Sequence, residues 1–223
     1  MKNNFFGIIL AKKNSERLMN KNIKKINKYH LVEYPMIAMQ KSKFISKFYL
    51  SSDSKKILNL GRAFSKCSID LRPLKYCRSR STSIDTIIYI IKKKKINPND
   101  FVVLLEPTSP MTDYKDLNEV VNIVNKKRVK SLVSVGKLEA SNPNYCFKIN
   151  KKFFPIKKKI FSIRQNIKDY YFLDGSVYIS KVSEIQKSRT FLTKNTLCHL
   201  FPKHKNLEID DLQDFKIIKK LMS

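Results

Sequence analysis

The chain of 223 residues carries 46 Lys and Arg against 18 Asp and Glu, a formal charge of +28, with 42% hydrophobic and 11% aromatic residues. That apolar share excludes an intrinsically disordered chain, and the length is enough for one sizeable core. A charge this high would suit nucleic acid, but the lysines are spread along the chain rather than gathered on an arm or helical face. The expectation is therefore no specific nucleic-acid partner, only a salt-sensitive background affinity.

Cys67, Cys77, Cys146 and Cys198 form no C-x-x-C pair, so neither a zinc site nor a disulfide framework is indicated and buried free thiols are expected. No apolar run reaches eighteen residues, and the N-terminal apolar stretch is too short for a signal peptide, so a cytoplasmic protein without a membrane partner is expected.

Phe5 to Leu10 (FFGIIL) is a continuous apolar run, the pattern of a strand buried on both faces of a parallel sheet. It breaks into AKKNSERLMNKN, where Lys12, Lys13, Arg17 and Lys21 supply charge and Asn14, Ser15, Asn20 and Asn22 supply hydrogen-bonding groups. A cationic loop at the carboxyl end of a first strand lies where open α/β sheets bind ligands, and its charge suits phosphates. The alternative is a solvated basic loop. With no glycine between Gly7 and Gly61, Asn14 and Asn20 are expected to take left-handed conformations.

Leu31 to Ser42 has helical spacing, with Pro35 limiting its first turn. Phe44 to Leu50 reads as a strand, after which Ser51, Ser52 and Asp53 are expected to cap a helix through Ile57, Leu58 and Leu60. Ser68 to Arg72 is a short strand. From Thr82, Ile84, Ile87, Ile88 and Ile91 make a helical stripe that closes in Lys92 to Lys95, where the helix dipole favours cations. Phe101 to Leu105 (FVVLL) is a buried strand that runs into EPTSP. Asp113 opens a helix with Leu117, Val120, Val121 and Val124 on one face, and Ser131 to Val135 is a further strand. This alternation argues a right-handed, doubly wound, mostly parallel sheet.

The pattern loosens from Asn144 to Ile167, with strand-like pieces at 145–149 and 153–156, and this stretch reads as an inserted β-arm. Asp174 and Gly175 precede a strand at Ser176 to Ser180, followed by a short helix at Glu184 to Ser188, a strand at Leu197 to Phe201 and a closing helix with an acidic start. Glu208 and Asp210 alternate across an extended segment, which turns both carboxylates to one side. They suit a magnesium ion, which takes hard oxygen ligands, or else the acidic residues cap the last helix. His30, His199 and His204 share no motif.

The order of motifs resembles the CMP-N-acylneuraminate cytidylyltransferases, including relatives acting on legionaminic acid. The residues that carry the resemblance are AKKNSERLMNKN with Lys21 and Asn22, SSDS at Ser51 to Ser54, Leu71-Arg72-Pro73, Thr82-Ser83-Ile84, LLEPTSP at Leu104 to Pro110, Arg164-Gln165, DGSVYI, and Glu208 to Asp211 with Asp214. They span essentially the whole chain. The family commonly has Arg where this chain has Lys12, Lys at Glu16, Gln at Glu106, Arg at Thr112 and Phe172, and Asp at Glu208.

The resemblance implies a Rossmann-like fold of the nucleotide-diphospho-sugar transferase type, in one domain over 1–223, with 144–172 as an arm that dimerises and touches substrate. It implies a magnesium-dependent nucleotidyltransferase that moves CMP from CTP to the anomeric hydroxyl of a nine-carbon 2-keto sugar acid, for surface glycan synthesis. Lys12, Arg17 and Lys21 would serve catalysis; Lys12, Asn14, Ser15, Lys21, Asn22, Arg72 and Ser83 the nucleotide. Glu106, Thr108, Ser109, Arg164, Gln165 and Asp174 would serve the sugar, and Glu208 and Asp210 the metal. The alternatives are the same fold with another acceptor or nucleotide, a catalytically degenerate member, or a basic nucleic-acid-associated module.

Overall fold

The computed structural model describes residues 3–15, 17–78, 81–139, 142–143, 146, 148, 151 and 168–223. Glu16, Arg164, Gln165 and most of the expected arm lie outside the described residues.

The apolar runs form the strands of one sheet: β1 (Phe5–Leu10), β4 (Ile45–Ser52), β5 (Cys67–Leu71), β6 (Phe101–Leu104), β7 (Ser131–Leu138), β8 (Tyr170–Lys181) and β9 (Leu197–Leu200). A two-stranded hairpin, β2 (Lys25–Ile26) and β3 (Tyr29–His30), follows the first loop. Sheet order is β5-β4-β1-β6-β8-β7-β9. β5, β4, β1 and β6 are mutually parallel, and β8 runs antiparallel between β6 and β7. The parallel reading therefore holds, but β8 enters the sheet out of chain order. Val102, Val103 and Leu104 pair with Ser180, Ile179 and Tyr178, which covers an edge that β6 would otherwise expose.

Helices cover both faces. On one, α1 (Glu33–Lys41), α2 (Lys55–Gly61) and α4 (Tyr114–Lys127) pack through Met36, Met39, Ile57, Val120 and Val124 on Phe5, Ile9, Phe48 and Val103. On the other, α3 (Ser83–Lys93) and α5 (Val182–Ser188) pack through Ile87, Ile91 and Ile185 on Ile8, Val102 and Val133. Gly7 is required by the first packing, since a Cβ there would lie 2.3 Å from Met39 Sδ. Pro35 sits in the first turn of α1, where a missing N–H breaks no helical bond. Among the described residues no helix is long and apolar enough to cross a membrane.

Local chemistry sets most helix starts. Thr82, Asp113 and Asp211 close reciprocal capping boxes on α3, α4 and α6 (Leu212–Leu221). The cap of α2 is Ser54, which accepts from the Ile57 N–H, whereas Ser51 and Ser52 remain in β4. Of the two asparagines expected to turn the first loop, only Asn20 has positive φ, at 56°. Asp53 accepts from the Lys13 N–H at 2.7 Å and Asn22 donates to the Lys12 carbonyl at 2.7 Å, so the start of the loop is held from outside and turns later. The thiols also depart from expectation: Cys198, on an edge strand, and Cys146 are exposed, while Cys67 and Cys77 are half-buried. Burial pushes the Cys67 thiol up to about 11.

Candidate active site

A third, smaller core joins the two ends of the chain. Leu18 from the first loop packs with Ile26, Leu31, Ile209 and Ile218, so the segment before α6 is laid across the loop after β1. Two polar contacts fix the register: the Ile209 N–H donates to the Thr108 carbonyl at 2.8 Å, and Lys21 Nζ donates to the Ile209 carbonyl at 2.9 Å. Alternation along 208–210 then brings Glu208 and Asp210 within the electrostatic reach of Lys21 and Glu106.

The result is a cleft of about 390 Å³ at the carboxyl ends of β1 and β6. The first loop contributes Lys12, Asn14, Ser15, Arg17, Lys21 and Asn22 to its wall. Arg72 and Ser83 come from the segments after β5 and at the start of α3; Glu106 and Thr108 follow β6, and Asp210 precedes α6. All seven residues expected at the nucleotide, and all three expected in catalysis, thus share one cavity.

The remaining expectations divide. Thr108 lines the cleft, its buried hydroxyl beside the Glu106 carboxyl. Ser109 is buried and does not line the cleft. Asp174 is fully buried at 0% exposure and likewise does not line the cleft. Sequence reading gave no site role to Leu10, Ser81, Thr82, Thr86 or Pro107, all in the cleft wall. Thr86 had a usable signal, since it lies one helical turn beyond Thr82 and Ser83.

Asp174 has a structural task. Where β8 passes β7, Val133 pairs with Tyr178 but Val135 pairs with Leu173, so Asp174 to Val177 bulge out opposite Ser134. The Ser134 hydroxyl donates to the Asp174 carboxylate and accepts from the Val177 N–H at 2.8 Å, while Asp174 also accepts from the Ser176 N–H at 3.0 Å. The Asp-Gly pair therefore sits inside a twelve-residue strand at a stapled bulge, not ahead of a strand. The bulge sets Gly175 at φ +69° directly against Glu208. A Cβ there would fall 1.3 Å from Glu208 Oε1. Gly175→Ala is expected to cost about 1–3 kcal/mol from backbone strain and to lower activity by displacing Glu208; thermal melts and a turnover assay check both.

Charge is divided across the cleft. Arg17 pairs with Asp210 at 2.8 Å, and Lys21 lies 3.7 Å from the other oxygen of the same carboxylate. Burial lowers the Lys21 ammonium from its ordinary value, against the pull of Asp210. Arg72, only 3% exposed, spends its guanidinium on the Ser51 hydroxyl and carbonyl at 3.2 and 2.6 Å; burial lowers it too. Opposite, burial raises the Glu106 carboxyl. Glu208 is pushed up to about 7 by burial and then by Glu106, Asp210 and Asp174. Asp211 and Asp214 are consumed by the cap of α6, which leaves Asp210 free to face the cleft. The capping reading of the acidic segment is thus realised on Asp211 and Asp214, while Asp210 faces the cleft.

A cationic loop after the first strand of a parallel sheet, facing crowded carboxylates across an open cleft, is the arrangement of a nucleotide-handling α/β enzyme. Two solved structures share the fold. One is a CMP:2-keto-3-deoxy-manno-octonic acid synthetase complexed with CTP, at TM-score 0.69 and 12% identity over 98% of both chains. The other is a 4-diphosphocytidyl-2C-methyl-D-erythritol synthase, at TM-score 0.71 and 8% identity over 100% of both. The chain belongs to the cytidylyltransferase family, whose sequence profile matches residues 6–222, and is thereby a nucleotidyltransferase.

Among characterised relatives it is 28% identical to a CMP-N,N'-diacetyllegionaminic acid synthase of Legionella pneumophila, over 96% of this chain and 94% of that one. It is 25% identical to a Helicobacter pylori protein named as pseudaminic acid cytidylyltransferase and UDP-2,4-diacetamido-2,4,6-trideoxy-beta-L-altropyranose hydrolase, over 94% of this chain but 40% of that one. It is 22% identical to an Escherichia coli N-acylneuraminate cytidylyltransferase, over 97% of this chain and 52% of that one. The chain thus spans about half or less of the last two relatives and nearly all of the first.

Proposed function

We propose that the protein transfers CMP from CTP to the anomeric hydroxyl of a nine-carbon 2-keto sugar acid, releasing pyrophosphate. The observation that carries this reading is the junction of Lys21 with Asp210, which joins a cationic loop to an acidic segment at opposite ends of the chain. The names of the relatives supply the acceptor class. In the reaction the hydroxyl oxygen gives up its proton to water and forms a bond to the α-phosphorus, the bond from that phosphorus to the bridging oxygen breaks, and pyrophosphate leaves with the electron pair.

This chemistry asks the protein chiefly for position and charge neutralisation. Lys12, Arg17 and Lys21 would hold the triphosphate, with Asn14, Ser15 and Asn22 shaping the loop; Arg72 and Ser83 would line the nucleoside end. Glu106 and Thr108 would face the acceptor. Ser109 and Asp174 are buried behind that wall.

Glu208 and Asp210 would hold a magnesium ion: both offer hard oxygens, and the Glu106 and Asp210 carboxylates that help raise Glu208 are a local excess of negative charge that a divalent cation relieves. Among the described residues, Asp210 is the one of the pair that lines the cleft. When bound, the ion would supply charge neutralisation on the phosphate oxygens. The arm over 144–172 is proposed to make a homodimer, a reading supported by Tyr170, Tyr171, Phe172 and Leu173, all exposed at the base of β8.

The test of function is pyrophosphate release from CTP and magnesium with N,N'-diacetyllegionaminate, pseudaminate or N-acetylneuraminate as acceptor. Release with at least one is expected. Absence of release with all three, together with no thermal protection by CTP, overturns the reading.

A pH dependence accompanies it. The folded value of Glu208, about 7, lies above its ordinary 4.5, so the native state retains a proton that the unfolded chain has lost between these values. Stability without divalent ions is therefore expected to fall as pH rises from 4.5 to about 7, and magnesium with CTP is expected to oppose the fall. Melting temperatures across that window check the sign, and Glu208→Gln should flatten the slope.

A further inference from the structure

Beside the cleft, along α3, lies a second cavity of about 490 Å³, within the size range of small-molecule sites. Its cations are Lys75, Arg78, Lys92 and Arg189, and its only acid among the described residues is Asp85. Asp85 is already engaged, paired with Arg189 and closing the capping box with Thr82. No described carboxylate lies within ion-pair distance of Lys75, Arg78 or Lys92. Unpaired cations that converge in a concavity repel one another and draw in an anion.

One wall of the cavity is aromatic. Tyr76 and Tyr89 pack with ring centroids 4.8 Å apart and planes tilted by 31°. The pair is fixed from two sides: Lys75 Nζ sits 5.1 Å from the Tyr76 ring centroid, and Lys93 Nζ donates to the Tyr89 hydroxyl at 2.8 Å. A flat apolar surface beside cations suits a planar base attached to a phosphate, and stacking of this kind does not discriminate between bases.

We infer that this cavity is a second nucleotide site, separate from the catalytic cleft and open to a nucleoside phosphate of any base. The phosphate lies among Lys75, Arg78 and Lys92, and the base lies on the Tyr76–Tyr89 pair. The site is wired to the cleft. Lys12 Nζ donates to the Arg78 carbonyl at 3.3 Å, Ser81 lines both cavities, and the Thr82–Asp85 cap that holds the cleft end of α3 shares Asp85 with Arg189. A bound nucleotide therefore alters the setting of Lys12, and the expected consequence is a change in KM for CTP with little change in kcat.

AMP is the probe, because an aromatic ring face accepts any base. By equilibrium dialysis at physiological ionic strength, one equivalent of AMP is expected to bind alongside CTP. The double variant Lys75→Ser, Lys92→Ser, exposed positions outside the cleft, should weaken AMP at least tenfold and keep CTP turnover, with circular dichroism to confirm the fold. Tyr76→Leu should weaken AMP several-fold while leaving the binding of ribose 5-phosphate unaltered. Overturning results are AMP that only competes with CTP for one equivalent, AMP binding unchanged in the double variant, inorganic phosphate displacing AMP as well as AMP itself does, or an oligonucleotide that binds the same residues far more tightly.

Discussion

Lys21→Ala is expected to lower kcat/KM for CTP by roughly 10²–10³-fold, the scale for losing one preorganised charge-stabilising donor at a reacting phosphate. Its ammonium is held on two sides, at 2.9 Å from the Ile209 carbonyl and 3.7 Å from Asp210, and its burial means that solvent does little to screen it. Lys21→Arg should recover only part of the loss, because the guanidinium fork is wider than the space that an ammonium fills between the loop and residue 209. Steady-state kinetics with varied CTP separates the cases. A variant within threefold of the parent would remove Lys21 from the catalytic group and with it the pairing of the two chain ends.

Asp210→Ala is expected to abolish magnesium-dependent turnover while the melting temperature changes little, because its carboxylate is 40% exposed and its ion pair with Arg17 lies at the surface. Asp211→Ala should do the reverse. It removes the acceptor of the Gln213 and Asp214 N–H groups at the start of α6, a loss of about 1 kcal/mol for an N-cap, and leaves catalysis largely intact. Neighbouring carboxylates thus give opposite phenotypes, read by turnover and thermal melts on the same samples. Equal activity in Asp210→Ala would end the metal assignment.

The residues drawn from motif order that share the cleft are clustered in short segments: loop 12–22, Arg72, Ser83, 106–108 and Asp210. Each segment follows or precedes a strand or helix whose own pattern was plain, so fold and cleft arrive together. What failed were contacts made by one segment on another. Asn14 was expected to turn the loop, but Asp53 and Asn22 hold its start. Asp174, expected at the sugar, is fully buried, and one of its carboxylate oxygens is held by Ser134, forty residues earlier. Arg72 reaches the cleft yet spends its hydrogen bonds on Ser51. No local periodicity reports such partners.

Sequence by itself determined the doubly wound class, the helix caps at Thr82 and Asp113, and the cationic loop after the first strand. These depend on apolar periodicity and on side chains bonding their own neighbours within a turn. Only the tertiary structure decided that β8 enters between β6 and β7, that Gly175 bulges against Glu208, and that Asp210 faces the cleft while Asp211 caps a helix. The physical reason is common to all three. Sheet order, bulges and the facing of one carboxylate rather than its neighbour follow from packing between residues far apart in the chain, as where Leu18 meets Ile209. That contact brings the first loop and the last acidic segment into one cleft.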